Sequence, residues 1–388
     1  MRALSISGAI ANVTSSRTRC FSVRVQSTSA FRPGDVEKMA EQLIWIDTDC
    51  GFDDLCAISL LDDYSLQFPR KLKIGFISSV NGMTNPVMGQ SVIKKLFRSA
   101  SYACQPIVAC GRESQFNQMN SIQETDWGSQ YINDFSAFVS NHLDIIDQAD
   151  GKSDQPADHR NKQGEDDIER VVFEIMKLGE AQKVTLLCLG PLTNIANILR
   201  RHPTFLIDHI ERIVLMGGAV LVNGNAPDNS EYNFYLDPEA AAYVLQNCKI
   251  PIEMLGLEVA NDIGITKDQY KQLISYIESD DKVDDKTDEN FQPKNMIRQV
   301  ALQSKDSLSY DPIVSYYLMN SGAFTFENMK IKINPQTGCT RREVSNGIKD
   351  SLVLDAVYTS LQDSVDIRLA VSFRKQEYYN YLRSKIFM

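Results

Sequence analysis

Short apolar runs alternate with stretches of helical length through most of this chain. Six runs are nearly continuous in apolar residues, which is typical of strands that are covered on both faces of a sheet. They are Leu43–Ile46, Leu72–Ile77, Pro106–Ala109, Val184–Leu189, Ile213–Met216 and Ile252–Leu255. Helices are predicted between them at Asp53–Leu61, Asn85–Ser99, Ile168–Leu178, Thr193–Arg200 and Pro238–Asn247. This alternation predicts an open, mainly parallel α/β sheet flanked by helices.

The body of the chain, residues 39–388, is predicted to form one domain with two polar insertions. A chain of 388 residues is long enough to bury a large core. The stretches 148–167 and 278–294 are rich in Asp, Lys, Asn and Gln, which favours surface loops. Further strands are predicted near the C-terminus, before a closing helix, at Met329–Ile333, Ser351–Val357 and Val365–Phe373.

Residues 1–38 differ in composition from the rest and are predicted to be a leader outside this domain. The first 34 residues contain five arginines, many serines and no acidic residue. This composition favours an organellar transit peptide over a secretory signal, which needs a longer apolar core. The alternatives are a disordered leader, or an upstream start with Met39 opening the usual protein. Eight cysteines without a CxxC pair favour reduced thiols. We therefore predict an intracellular protein, either cytoplasmic or, with a cleaved leader, mitochondrial or organellar.

Charge and hydropathy argue against two classes of partner. The chain has 40 Lys and Arg residues against 50 Asp and Glu, a net charge of −10. A nucleic-acid polymer is therefore not expected as a partner, because neutralising its phosphates needs clustered basic residues. Membrane insertion is not expected either, because no run of about 18 apolar residues is present. A small-molecule ligand fits this composition.

Four carboxylates follow the first predicted strand within eight residues. They are Asp47, Asp49, Asp53 and Asp54 in the run DTDCGFDD. Ligands of open α/β sheets bind at the carboxyl ends of the strands, and four like charges there repel unless a cation or hydrogen-bond donors compensate them. Oxygen ligands favour a hard cation such as Ca²⁺ or Mg²⁺. Gly51 would permit the turn that brings Asp49 and Asp54 to one ion. The alternative is a set of turn and helix-cap aspartates in a solvated loop.

The same run is compatible with a haloacid-dehalogenase-type phosphatase. Such a Mg²⁺-dependent phosphohydrolase also begins with a strand and Asp-x-Asp, so that Asp47 would be a covalent nucleophile. Phosphatases of this type have Thr or Val at the position where this chain has Gly51. An EF-hand is excluded. In a loop that starts at Asp47, Phe52 occupies the position that requires Gly, and Ile58 occupies the position of the terminal Glu.

A series of motifs, in order, resembles the family of inosine-uridine-preferring nucleoside hydrolases. The family's hallmark DxDxGxDD stands at 47–54, and its Gly-x-Leu-Thr-Asn segment looks like residues 190–194. Further matches are MGGA at 216–219, GN at 224–225, EYN at 231–233, DPEAA at 237–241 and YDP at 310–312. The resemblance covers roughly residues 42–375. It implies a Rossmann-like sheet and a homo-oligomer, dimeric or tetrameric.

The resemblance also implies a reaction and a set of site residues. The reaction is Ca²⁺-dependent hydrolysis of a ribonucleoside to ribose and free base. The implied Ca²⁺ ligands are Asp49, Asp54, Asp311 and the backbone carbonyl of Leu189. Asp49 would also take a proton from the attacking water. The positions that hydrogen-bond the ribose hydroxyls are Asp53, Asn225, Glu231 and Asn233. Asp47 is expected to support this cluster rather than bind the ion.

The base half of the site departs from the family pattern. Tyr310 replaces the family His that can protonate a leaving base, Met83 replaces a family Asn, and the four histidines match no catalytic position. Purine-specific members carry an aromatic residue before the last metal aspartate and stack the base between rings. Tyr310, with Trp127 as a second candidate, is therefore predicted to stack a purine. The alternative is a ribosyl-binding homologue that keeps the metal site but has lost leaving-group activation.

Overall fold

The structure, a computed structural model, describes residues 41–98, 104–116, 134–139, 162–179, 182–279, 293–303, 305–343 and 364–387. The predicted leader, Trp127, the predicted strand Ser351–Val357 and most of both polar insertions lie outside these residues.

One sheet contains nine strands of the described residues. They are β1 (Gln42–Thr48), β2 (Leu72–Ser79), β3 (Ile107–Cys110), β4 (Val184–Cys188), β5 (Ile210–Met216), β6 (Ile252–Leu255), β7 (Phe324–Ile333), β8 (Thr340–Arg342) and β9 (Val365–Phe373). Their spatial order is β3-β2-β1-β4-β5-β6-β9-β7-β8. Neighbours from β3 to β9 are parallel, and β7 is antiparallel to β9 and β8. The predicted open, mainly parallel sheet with additional C-terminal strands is confirmed.

Helices connect most of the parallel strands. They are α1 (Phe52–Gln67), α2 (Pro86–Arg98), α3 (Lys162–Met176), α4 (Thr193–Arg201), α5 (Phe205–His209), α6 (Tyr232–Leu236), α7 (Pro238–Asn247), α8 (Leu257–Ala260), α9 (Lys267–Ser279), α10 (Pro293–Gln303), α11 (Asp311–Met319) and α12 (Lys375–Phe387). Residues 134–139 are also helical, and 3-10 turns lie at Pro227–Asn229, Asp306–Leu308 and Ser321–Ala323. Within the described residues, every helix is too short or too polar to cross a membrane.

The prediction of a loop over residues 148–167 is wrong for its last six residues, because α3 already begins at Lys162. Polar residues can form the first turns of a helix whose later turns are anchored, and Val171 and Ile175 of α3 are fully buried. Asp167 is itself held, since its Oδ2 accepts hydrogen bonds from the Gln90 side chain at 2.9 Å and from the Cys110 amide at 3.3 Å. At the second insertion, α10 begins at Pro293, a residue favoured in a first helical turn.

The strand order places a crevice between β1 and β4. Apolar side chains cover both faces of these strands: Ile44 and Ile46 pack with α1, whereas Trp45 and Leu186 pack with α4 on the other face. The order of the parallel strands reverses direction between β1 and β4, which makes this a topological switch point. Ligands of such sheets bind in the crevice at the carboxyl ends of the two strands.

Candidate active site

A cavity of about 370 Å³ opens at the carboxyl ends of β1 and β4. The residues predicted to bind the ion and the ribose all line it, as does Tyr310. They are Asp49, Asp53, Asp54, Leu189, Asn225, Glu231, Asn233, Tyr310 and Asp311. Residues distant in the sequence therefore meet in one concave site.

Asp49 is turned towards the cavity by the chain that follows β2. Its carbonyl accepts hydrogen bonds from the amide (3.1 Å) and hydroxyl (2.8 Å) of Thr84, and its Oδ2 accepts one from the amide of Met83 at 2.9 Å. The next residue, Cys50, has a φ of 61°. This left-handed conformation is costly for a residue other than glycine and is concentrated at functional turns. It lets the chain bend sharply between β1 and α1.

Asp54 is oriented by the turn that precedes it. Its Oδ2 accepts a hydrogen bond from the Gly51 amide at 2.8 Å, and its Oδ1 accepts one from the Thr48 hydroxyl. The side chain is only 1% exposed. A carboxylate has about four acceptor positions, so both oxygens keep capacity for another partner.

Asp53, Asp54 and Asp311 place carboxylate oxygens within 4.8 Å of one another. Asp311 begins α11, where the partial positive charge of a helix N-terminus favours a carboxylate. Asp49 joins the group through contact with the Asp54 carboxyl. The cluster therefore contains four aspartates from two parts of the chain, the junction of β1 and α1 and the start of α11, and all but the partly exposed Asp53 are buried.

The electrostatics of this cluster favour a cation. Burial, reinforced by the charge of Asp54, raises the pKa of Asp49 and Asp311 well above the usual range and raises the pKa of Asp53 to about 8. Among the described residues, no Lys, Arg or His lines the cavity. Four carboxylates without a basic partner fit a hard cation such as Ca²⁺ or Mg²⁺.

The carbonyl of Leu189 lies across the crevice and is held by Asn233. The Asn233 side-chain amide donates to this carbonyl at 2.9 Å and to the Met216 carbonyl at 3.3 Å. Gly190 allows the close approach of the two strand ends, because a Cβ there would lie 2.9 Å from the Asp49 amide nitrogen. A carbonyl has two lone pairs, so that of Leu189 can still bind an ion.

Glu231 combines a structural role with its place in the cavity. It caps α6, since its Oε1 accepts from the Asn233 amide at 2.9 Å and its Oε2 from the amides of Phe234 (3.2 Å) and Gly218 (3.1 Å). Burial nevertheless raises its pKa to about 7. Asn225 is also engaged, because its side-chain oxygen accepts from the Tyr232 amide at 3.0 Å.

Tyr310 enters the cavity from a strained position. Its φ is 53° and its ψ −105°, a combination that a bulky residue rarely adopts. Its hydroxyl hydrogen-bonds with Asn225, and burial raises its pKa. The histidines do not replace it as an acid: His202 and His209 are not among the residues that line the cavity, and the other two lie outside the described residues.

Asp47 lies behind the cavity rather than in its lining. Its Oδ1 accepts hydrogen bonds from the Asn194 amide at 2.8 Å and from the Ser78 hydroxyl. Asn194 also donates to the Ser79 carbonyl at 3.0 Å, which ties β1, β2 and α4 together. Burial raises the pKa of Asp47 to about 7. This position suits the predicted supporting role.

Several residues of the lining were not assigned from the sequence. They are Phe52, Met216, Tyr232, Asp306 and Ser307. Tyr232 stands between Glu231 and Asn233, so its position in that motif could have marked it as a residue of the site. No pattern in the sequence marks Asp306 or Ser307. Trp127 lies outside the described residues, so its stacking role stays a prediction.

The family model of the inosine-uridine preferring nucleoside hydrolases matches residues 44–379. The chain belongs to this family. Residues 1–43 precede the match, and the predicted transit peptide is not supported.

Known nucleoside hydrolases resemble the chain locally in sequence and broadly in fold. The pyrimidine-specific ribonucleoside hydrolase RihA of Shewanella oneidensis is 48% identical over 92 residues, which are 24% of this chain and 28% of that protein. RihA of Salmonella paratyphi B is 48% identical over 85 residues, 22% of this chain and 26% of that protein. The chain thus spans about a quarter of the length of the curated relatives it matches.

Solved structures of nucleoside hydrolases share the fold over most of the chain. The inosine-uridine preferring enzyme of Bacillus anthracis has a TM-score of 0.62 at 18% identity, covering 89% of this chain and 99% of that one. The purine-preferring ribonucleoside hydrolase of Gardnerella vaginalis has a TM-score of 0.58 at 21% identity, covering 89% and 98%.

Proposed function

We propose that this nucleoside hydrolase family member cleaves the N-glycosidic bond of ribonucleosides, using Ca²⁺ held by Asp49, Asp54, Asp311 and the Leu189 carbonyl. The observation that carries the proposal is the convergence of these groups with Asn233 and the other ribose-side residues in one cavity. Family membership supports the same reaction class.

The chain's own residues account for most of the proposed chemistry. Ca²⁺ would supply positive charge that favours ionised carboxylates and lowers the pKa of nearby water. Asp49, fixed through the Met83 amide, accepts the proton of the attacking water. Asp53, Asn225, Glu231 and Asn233 orient the ribose hydroxyls. The acidic cavity also suits the positive charge that develops on the sugar as the bond breaks.

We further propose that purine nucleosides are preferred. Tyr310, Tyr232 and Phe52 bring three aromatic rings to the cavity lining. A two-ring base offers more surface for stacking than a pyrimidine. The names of the compared proteins point both ways, since RihA is called pyrimidine-specific and the Gardnerella protein purine-preferring.

A nucleoside panel tests both parts of the proposal. We expect ribose and free base from adenosine, inosine and guanosine, with kcat/KM for purines about tenfold or more above that for uridine and cytidine, the factor that a stacking gain of roughly 1.4 kcal/mol provides. A pyrimidine preference would overturn the purine assignment and leave the hydrolase standing. Release from no nucleoside, with nucleoside-induced thermal stabilisation, would instead favour the ribosyl-binding alternative.

The phosphohydrolase alternative is disfavoured by the position of Asp47. As a covalent nucleophile this residue would have to reach substrate, yet it lies behind the cavity with its Oδ1 bonded to Ser78 and Asn194. We expect no hydrolysis of phosphate esters. The family resemblance also leads us to propose a dimer or tetramer, which analytical ultracentrifugation would test.

Gly82 provides a test of the Asp49 position. A Cβ at Gly82 would lie 2.2 Å from Asp49 Oδ2 and 2.6 Å from Asp49 Cβ, so Gly82→Ala must displace the Asp49 side chain. A displacement of about 1 Å can cost roughly 100-fold in rate, and we expect a loss of that order in kcat/KM for nucleosides. Gly322→Ala is the matched control, because its Cβ would meet nothing within 4 Å. Equal activity of the two variants would contradict the proposed role of Asp49.

A further inference from the structure

The C-terminal helix α12 contacts the elements that bring the acidic residues to the cavity. Lys385 of α12 forms a salt bridge of 2.6 Å with Asp63 of α1. The hydroxyl of Tyr378 donates to the carbonyl of Leu308, in the turn before α11, at 2.7 Å. The Tyr378 ring packs against Tyr316 of α11 with centroids 5.1 Å apart. Tyr378 therefore lies where α12, this turn and α11 meet.

The turn that Tyr378 holds leads directly to a proposed cation ligand. It is a short 3-10 turn, closed by hydrogen bonds from the Leu308 amide to the Lys305 carbonyl (3.1 Å) and from the Ser309 amide to the Asp306 carbonyl (2.8 Å). Tyr310 follows with its strained φ of 53°, and Asp311 comes next. A strained residue keeps its conformation only when the surrounding structure constrains it from several sides.

Removal of the Tyr378 hydroxyl would take away one of these constraints. Tyr378 and Leu308 are both fully buried, so bulk water does not reach this carbonyl to replace the lost donor. A buried carbonyl without a donor is unfavourable, and the turn would shift to find another partner. Tyr310 could then relax towards an ordinary φ, which would move the carboxylate of Asp311.

We propose that Tyr378 is a positioning residue for the cation site, acting through the Leu308 carbonyl on the backbone of Tyr310 and Asp311. The inference rests on the proposed function only in taking Asp311 as a cation ligand. It assigns to the C-terminal helix a part in cation binding, although Tyr378 does not line the cavity.

Two Tyr→Phe variants of the full chain separate this role from general packing. Tyr378→Phe removes the hydroxyl that holds the turn. Tyr381→Phe removes a hydroxyl from the same helix. The Tyr381 ring also packs on Tyr316, with centroids 5.1 Å apart, but its hydroxyl contacts the Met319 sulfur at 3.3 Å. Calorimetric titration of chelator-treated protein with Ca²⁺ alone measures the affinity. Thermal melting and amide hydrogen exchange report on folding and on the turn.

We expect Tyr378→Phe to weaken Ca²⁺ binding about tenfold, the factor that corresponds to losing one net hydrogen bond. In Tyr378→Phe, amide hydrogen exchange should also be faster in the peptide that contains residues 305–311. The Ca²⁺ affinity of Tyr381→Phe should stay within about twofold of the wild-type value. Unchanged affinity in Tyr378→Phe, or equal losses in both variants, would overturn the inference. If Tyr378→Phe unfolds globally while Tyr381→Phe does not, with no selective effect on the turn, the inference also fails. A wild-type chain that binds no Ca²⁺ would instead overturn the proposed function.

Discussion

Asp49→Asn is expected to lower the rate of ribose release by about 10²- to 10⁴-fold, the range that a general base contributes. Asparagine has nearly the shape of aspartate and can still accept the hydrogen bond from the Met83 amide, so the fold is preserved. It cannot take a proton from water at neutral pH. The loss is therefore expected in kcat, measured at saturating nucleoside and Ca²⁺.

The same substitution is expected to stabilise the protein in the presence of a chelator. Burial and the neighbouring charge of Asp54 raise the pKa of Asp49, which means that its charged form is unfavourable there. Removing that carboxyl relieves the repulsion, so the melting temperature without metal should rise. Asp366→Asn, at an exposed strand position outside the cavity, is the control and should change neither property. Wild-type turnover by Asp49→Asn would contradict its role as base, and a lower melting temperature would contradict the electrostatic account.

Ca²⁺ is expected to produce the second large effect, a rise in the melting temperature of chelator-treated protein. A ligand that binds only the folded state stabilises it by about 2.7 kcal/mol at 100 times its Kd, which corresponds to a shift of several degrees. The shift arises because the ion replaces repulsion between Asp49, Asp53, Asp54 and Asp311 with attraction.

Removal of single ligands should reduce this shift. In Asp54→Asn and Asp311→Asn the Ca²⁺-dependent rise in melting temperature should shrink, because each variant loses one charged ligand of the cluster. Asp262→Asn, which alters an exposed ion pair with Lys375, should keep the full shift. A calorimetric scan with and without Ca²⁺ provides the measurement. An undiminished shift in both cluster variants would place the ion elsewhere.

The central part of the fold could be predicted because its strands are buried on both faces. β1 and β4 read as continuous apolar runs, and their burial in the sheet explains that pattern. The end of the sheet was less predictable. β9 pairs in parallel with β6 and antiparallel with β7, and no local sequence pattern encodes the choice of such distant partners. The start of α3 was missed because its first residues are polar.

The residues of the candidate site also differ in how far the sequence predicts them. Asp49, Asp53 and Asp54 were found from their local density, whereas Asp311 is distant in sequence and came only from a family resemblance. Hydrogen bonds made by the backbone could not be predicted from the sequence. The Met83 amide holds Asp49, and the Leu308 carbonyl accepts from Tyr378. Every residue type except proline has both of these backbone groups, so only the folded chain shows which of them take part.

Quantifying ribose and free base from inosine in phosphate-free buffer, before and after chelation and after return of Ca²⁺, is the most direct test of the proposed reaction. The proposal predicts equal amounts of ribose and hypoxanthine, loss of both with the chelator and recovery of both with Ca²⁺. Base release that needs phosphate, or hydrolysis that continues undiminished under the chelator, would contradict metal-dependent hydrolysis in this cavity.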